Sequence, residues 1–135
     1  MGDCNVDKNN PSEHAEKLNR ISERFAGCGK AITAIGDETR QRIIIALLER
    51  GCNGMRVGAI TEKTHLSRPA VSHHLQILKD ADVIDMRREG TRNYYFLDAE
   101  TEQWRSLLSL VQEINGLMDS VAKSRERKRL CSESD

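Results

Sequence analysis

A helix stop followed at once by a helix start constrains this chain more than any other feature. Residues 66–69, Leu-Ser-Arg-Pro, separate two short helix-like segments at 57–65 and 70–79. Ser67 is a preferred N-cap, and proline fits the first helical turn because the N–H that it lacks has no partner there. Two short helices joined by a turn of about 3–4 residues predict a helix-turn-helix, whose second helix can enter a DNA major groove.

The second segment is amphipathic, with a small and polar outer face. On a helical wheel Val71, Leu75 and Leu78 share the inner side with His74, which we expect to be packed and hydrogen-bonded. The outer side can hydrogen-bond bases or phosphates and consists of Pro69, Ser72, His73 and Gln76. An ordinary amphipathic helix with a polar surface explains this segment equally well when it is taken alone.

The next two segments decide between these interpretations. Strand-like runs at residues 83–88 and 92–97 flank a turn at 89–91, where Gly90 can adopt a positive φ. The tip of this hairpin contains Arg87, Arg88 and Arg92. Such a tip can straddle a phosphate backbone and reach the minor groove, whose negative potential favours arginine. Clustered arginines alone would indicate only solubility, but directly after a helix-turn-helix they indicate a wing.

Two helices are predicted before this core. Residues 1–11 are expected to form a disordered polar tail, and Ser12 to cap a long first helix that continues through two glycines. Asp37 is the expected N-cap of the second helix, which Gly51 ends. The predicted buried face of the second helix consists of Ile43, Ile44, Leu47 and Leu48.

The last helix carries more apolar surface than a small winged domain can cover. We therefore expect a homodimer seam that this helix shares with the N-terminal helix of the partner, the alternative being a helix packed on its own domain. A twofold axis would place two recognition helices in successive major grooves about 34 Å apart, on a near-palindromic operator. The expected seam residues are Leu18, Ile21, Phe25, Trp104, Leu107, Leu110, Ile114, Leu117 and Val121.

Three ordered motifs, at residues 36–48, 66–78 and 87–97, resemble the ArsR/SmtB-type winged-helix transcriptional repressors. The resemblance covers roughly residues 31–121 and implies a dimeric repressor that leaves its double-stranded DNA operator when an inducer binds. The expected fold is mainly α with a small β-hairpin, in the order α-α-α-α-β-β-α. We place the winged domain at residues 12–122, its DNA-binding core at 36–98 and a basic, polar tail at 123–135.

The resemblance also implies which side chains contact DNA. Matching motif positions lie at the start of the recognition helix, on its outer face and in the wing, and Gln76 is added from the helical wheel alone. The predicted DNA-binding residues are Ser67, Arg68, Ser72, His73, Gln76, Arg88 and Arg92.

The metal-binding residues of the family are missing from this sequence. Arsenic- and cadmium-sensing members have a Cys-x-Cys motif where this chain has Arg56 and Gly58, and zinc-sensing members use Asp and His on a last helix that here contains no histidine. Soft metals need thiolates, and zinc needs several converging N or S donors. We therefore expect no metal and no cofactor, and the inducer stays unknown.

The cysteines leave a second hypothesis open. In a cytoplasmic protein the four cysteines are expected to be reduced thiols rather than a disulfide framework. Cys28 lies in an apolar stripe and should be buried, whereas Cys52 lies in a Gly-rich loop and should be open to oxidation. The alternative function is thus a thiol- or redox-responsive regulator, with Cys28 and Cys52 as candidate sensors.

Charge and composition exclude several other classes. The formal net charge is zero, which argues against non-specific wrapping of nucleic acid. Positive potential is therefore expected only at the local basic clusters in the wing and at residues 123–129. No apolar run approaches the ~20 residues of a membrane span, and no signal peptide is recognisable. No paired carboxylates, nucleophile–base pair or phosphate loop predicts an enzyme. A winged protein-interaction module is a further alternative, against which Arg68, Arg88 and Arg92 argue.

Overall fold

The computed structural model describes residues 11–98 and 100–133. Its elements, in chain order, are α1 (Pro11–Ile35), α2 (Glu38–Arg50), α3 (Val57–Thr64), α4 (Arg68–Asp80), β1 (Asp85–Glu89), β2 (Arg92–Phe96) and α5 (Glu102–Glu133). A single 3-10 turn, Gly51–Asn53, joins α2 to α3. This order is the predicted winged helix-turn-helix. The chain divides into a winged unit, residues 28–106, and a helical unit formed by the outer parts of α1 and α5.

Both predicted N-caps of the winged unit are confirmed. The Asp37 carboxylate accepts the backbone N–H of Arg40 at 2.9 Å, and the Ser67 hydroxyl accepts that of Ala70 at 3.3 Å. The first of these hydrogen bonds lowers the pKa of Asp37 from its ordinary value of 3.8 because it stabilises the carboxylate. Gly51 ends α2 with φ 61°, as expected. α3 ends at Thr64, one residue before the predicted end, because His65 turns left-handed with φ 59°.

The core of the winged unit lies where α2, α3 and α4 pack together. The inner face predicted for α4 is confirmed, since Val71, Leu75 and Leu78 are at most 1% exposed. The prediction for α2 is wrong at Leu48, which is 63% exposed, because this residue lies outside the arc that faces α3 and α4. The largest fully buried side chains are Ile43, Leu47, Ile60, Leu75, Leu78, Val71, Val83 and Cys28.

The wing is an antiparallel pair in which Asp85 lies opposite Phe96 and Glu89 opposite Arg92. Gly90 turns with φ 64°, as predicted. The hairpin gains a further partner that the sequence did not reveal: Met55 and Tyr95 exchange two backbone hydrogen bonds of 2.8 Å. The segment before α3 is thereby attached to the side of β2.

Gly54 permits this attachment. Its φ is 74°, and a Cβ at this position would lie 3.0 Å from the Tyr95 carbonyl oxygen and 3.2 Å from the Tyr94 Cβ. A larger residue would therefore meet both a steric clash and an unfavourable backbone conformation.

The first and last helices have different outer ends from those predicted. Residues 1–10 of the expected tail lie outside the described residues, and α1 begins at Pro11, so Ser12 is a helical residue rather than the N-cap. α5 continues to Glu133 through most of the predicted tail, because lysine, arginine and glutamate favour helix and Lys123 pairs with Asp119 at 3.3 Å. Arg24 of α1 pairs with Glu113 of α5 at 3.0 Å. No helix among the described residues is long and apolar enough to cross a membrane.

Candidate nucleic-acid interface

The outer face of α4 is open to solvent. Ser72, His73 and Gln76 are exposed, as are Ser67 and Arg68 at the start of the helix. The Gln76 amide donates a hydrogen bond of 2.8 Å to the Asp80 carboxylate, one turn further along α4. Ser72 and His73 therefore lie exposed in the middle of this face.

His74 lies on the opposite side of α4 and is packed and hydrogen-bonded, as predicted. Its Nδ1 lies 3.5 Å from Nη1 of Arg40. The same guanidinium donates from Nε to the Ala34 carbonyl oxygen at 2.7 Å and from Nη2 to the Thr33 carbonyl oxygen at 3.3 Å. Arg40 thus connects α4 to the end of α1.

The three arginines of the wing have different surroundings. Arg88 donates from Nε to the Gly90 carbonyl oxygen at 3.1 Å, within the turn itself, and Arg92 is exposed. Arg87 points away from the tip: it donates to the carbonyl oxygens of Cys52 and Asn53 at 3.0 and 2.8 Å. Arg88 and Arg92 are therefore available to a ligand, whereas Arg87 attaches the wing to the 3-10 turn.

Two aromatic rings hold Arg87 in this position. Its guanidinium carbon lies 5.2 Å from the centroid of the Tyr94 ring and 5.7 Å from that of Phe96, and its Nε pairs with Glu89 at 2.8 Å. The sequence places Arg87 among the basic residues of the tip, and only the fold brings the carbonyl oxygens of Cys52 and Asn53 within reach of its guanidinium.

A groove of about 520 Å³ adjoins the wing on the side of α3. The groove is lined by four arginines, three from α2, α4 and β2 and one from the N-cap position of α3, together with one carboxylate and the small residues that begin α3. The arginines are Arg50, Arg56, Arg68 and Arg92. Arg68 and Arg92 are among the predicted DNA-binding residues, whereas no sequence motif indicated Arg50 and Arg56, which become their neighbours only in the fold.

A family model and a related protein identify the family of this chain. The family model "Bacterial regulatory protein, arsR family" matches residues 37–85, which include the helix-turn-helix. An HTH-type transcriptional regulator of Methanocaldococcus jannaschii is 34% identical over 92 residues, covering 68% of this chain and 99% of that protein. This chain belongs to the ArsR family. Like the family as a whole, it is a DNA-binding transcription regulator with a winged helix-turn-helix.

Two further proteins are similar to this chain. The transcriptional repressor SdpR of Bacillus subtilis is 44% identical over 70 residues, which are 52% of this chain and 74% of that protein. The homodimeric winged helix-turn-helix DNA-binding domain of a Mycobacterium bovis protein superposes with a TM-score of 0.51 and 29% identity, over 74% of this chain and 85% of that one.

Metal-ligand clusters and cysteine thiols are the features that could form a sensing site in this ArsR-family chain. Within residues 11–98 and 100–133, no group of three or more His, Cys, Asp and Glu side chains is arranged to hold a metal ion. Cys28 is 1% exposed and Cys52 is exposed, both as predicted, and both are free thiols. The expectation that all four cysteines are reduced is wrong at Cys131, which is disulfide-bonded. Cys4 lies outside the described residues.

The predicted seam residues divide into two groups. Leu110 is 3% exposed within the single chain, and Nε1 of Trp104 donates to the Val83 carbonyl oxygen at 2.8 Å, so these two side chains stabilise their own protomer. Leu18, Phe25 and Val121 are 47%, 48% and 40% exposed. The remaining predicted seam residues are half-buried and consist of Ile21, Leu107, Ile114 and Leu117.

Proposed function

We propose that this ArsR-family regulator is a cytoplasmic homodimeric repressor that occupies a near-palindromic operator and leaves it when an inducer binds. Ser72 and His73 read base edges in the major groove, while Ser67, Arg68, Arg88 and Arg92 bind phosphates or the minor groove. The observation that supports this division is the exposure of Ser72 and His73 on a helix whose opposite face buries Val71, Leu75 and Leu78. No catalytic activity is proposed.

Homodimerisation is supported by apolar surface on the helical unit. Leu108, Val111 and Met118 of α5 are 59%, 61% and 58% exposed, and Leu18 and Phe25 of α1 are nearly half exposed. Contiguous exposed apolar surface on a soluble protein indicates an interface. The Mycobacterium bovis domain of similar fold is homodimeric. The seam is therefore proposed to run along the faces of α1 and α5 that contain these residues.

The proposed dimer determines the symmetry of the operator. A twofold axis places the two recognition helices about 34 Å apart, and the two half-sites that they read must then be inverted copies of each other.

Gln76 is proposed to contribute less to DNA binding than Ser72 and His73, because its amide already donates to Asp80.

Selection of bound sequences from a pool of random duplexes, using the full-length protein, tests the proposal. The selected sequence should contain an inverted repeat. Against this sequence, Ser72→Ala and His73→Ala should each weaken binding by roughly 5- to 150-fold, or about 1–3 kcal/mol, and reduce the preference over random duplex. Ser22→Ala, at an exposed serine of α1, is the matched control and should leave both quantities unchanged.

Two results would contradict the proposal. Equal losses for the selected and the random duplex in both variants would show that Ser72 and His73 do not read bases. A selected sequence without an inverted repeat, bound by a monomer in sedimentation, would remove the dimeric mode of binding.

A further inference from the structure

We propose that the arginine-lined groove between α3 and the wing binds a segment of the DNA phosphodiester backbone. Each protomer would then hold DNA on a third surface, in addition to the outer face of α4 and the tip of the wing. Arg50 and Arg56, which no sequence motif indicated, would supply the additional contacts. Because the ligand is the same duplex, this inference rests on the proposed function.

The groove concentrates positive charge from distant parts of the chain. Arg50 comes from the last turn of α2, Arg56 from the N-cap position of α3, Arg68 from the start of α4 and Arg92 from the start of β2. Glu62 is the one carboxylate among the lining residues. Four guanidinium groups around one carboxylate leave a strongly positive local field in a chain whose formal net charge is zero.

The packing of the protein does not account for these four arginines. Within the described residues 11–98 and 100–133, none of their guanidinium groups forms an ion pair or a hydrogen bond. Other arginines of the winged unit are engaged: Arg42 donates to the Thr64 carbonyl oxygen, Arg40 to Ala34 and Arg87 to Cys52. Clustering like charges without such partners is unfavourable, so an anionic ligand explains the groove better than stability does.

The shape of the groove suits a phosphodiester backbone. Its lining includes two residues with little or no side chain at the start of α3, Gly58 and Ala59. A Cβ on Gly58 would meet nothing within 4 Å, so the space above the helix is open. Arginine forms bidentate hydrogen bonds with phosphate oxygens, and the uncapped amino end of α3 adds to the same positive potential.

Duplex DNA is favoured over a small anion because the groove is continuous with the predicted DNA-binding surface. Arg68 begins the recognition helix and Arg92 begins the second strand of the wing, and both also line the groove. A backbone that passes between the recognition helix and the wing would therefore meet Arg50 and Arg56 on the same path.

The salt dependence of binding tests the groove directly. Full-length protein is titrated into a fluorescent random-sequence duplex of about 30 bp, between about 50 and 200 mM salt, with anisotropy as the readout. Each phosphate contact contributes about 0.9 to the slope of log K against log salt. Arg50→Gln and Arg56→Gln should each lower the slope by about 0.9 per protomer, and should weaken operator and random duplex by the same factor.

Arg105→Gln is the matched control, because Arg105 is exposed on α5 and does not line the groove. It should keep the wild-type slope. Thermal melting by circular dichroism checks that all three variants remain folded, as expected for replacements of exposed arginines. Titration of wild-type protein with inorganic phosphate, followed by calorimetry, forms a separate arm.

The outcomes separate the two proposals. If wild-type protein binds no duplex, the proposed function fails. If wild-type protein binds but Arg50→Gln and Arg56→Gln keep its slope, only the groove assignment is overturned. Saturable binding of inorganic phosphate, lost in both variants while their slopes stay unchanged, would also overturn it and make the groove a site for a small anionic ligand.

Discussion

Replacing Arg87 by glutamine is expected to lower the free energy of unfolding by about 1–2 kcal/mol, although this side chain is close to the DNA-binding tip. The change removes two hydrogen bonds to the carbonyl oxygens of Cys52 and Asn53, an ion pair with Glu89 and the stacking on Tyr94. Charge-assisted hydrogen bonds contribute about 1.5–3 kcal/mol in general, and exposed ion pairs and cation–π contacts about 0.2–1 kcal/mol each.

The expected loss is smaller than the sum of these contributions because the site is partly solvated. The Arg87 side chain is 37% exposed, and the residues Cys52 and Asn53 are exposed, so water can replace the guanidinium at their carbonyl oxygens. Arg87→Lys should recover little of the loss, since an ammonium group cannot span two carbonyl oxygens and stack on a ring at once.

Urea unfolding followed by Trp104 fluorescence measures the effect. The Trp104 indole donates a hydrogen bond to the carbonyl oxygen of Val83, two residues before the wing begins, so its fluorescence reports on unfolding of this region. With a slope of about 2 kcal/mol/M, the midpoint should fall by roughly 0.5–1 M at equal protomer concentration. Arg88→Gln is the control, because Arg88 bonds only within the turn, and it should stay within about 0.5 kcal/mol. Equal midpoints for Arg87→Gln and Arg88→Gln would refute the structural role of Arg87.

Three further predictions follow from single positions. Gly54→Ala should destabilise the protein by about 1–3 kcal/mol in urea unfolding, through its positive φ and the clash with Tyr95, whereas Gly58→Ala should not; matching midpoints would refute this. Val111→Glu should give a folded monomer by sedimentation velocity, whereas the buried Leu110→Glu should lose its fold; a surviving Val111→Glu dimer would move the seam elsewhere. Because the folded-state pKa of Asp37 is lowered, its stabilising effect is present above pH 3.8 and lost as the pH falls below it; Asp37→Asn should flatten that part of the profile of urea midpoint against pH, and parallel profiles would contradict this.

The amino-acid sequence by itself determined the features that depend on near neighbours. The Asp37 and Ser67 caps each involve an amide three residues away, Gly90 requires only its own backbone freedom, and the two faces of α4 follow from helical periodicity. These local rules were enough to predict the winged helix-turn-helix and to distinguish the half-buried His74 from the exposed His73.

The tertiary structure decided what depends on distant residues. The pairing of Met55 with Tyr95 brings the start of α3 beside the wing, and only then do Arg50, Arg56 and Arg92 line one groove. In the same way, the loop before α3 lies close enough to the wing for Arg87 to donate hydrogen bonds to it, so Arg87 attaches the wing instead of extending from its tip. No periodicity or spacing encodes these contacts, because segments that are remote along the chain become neighbours only through packing of the shared core.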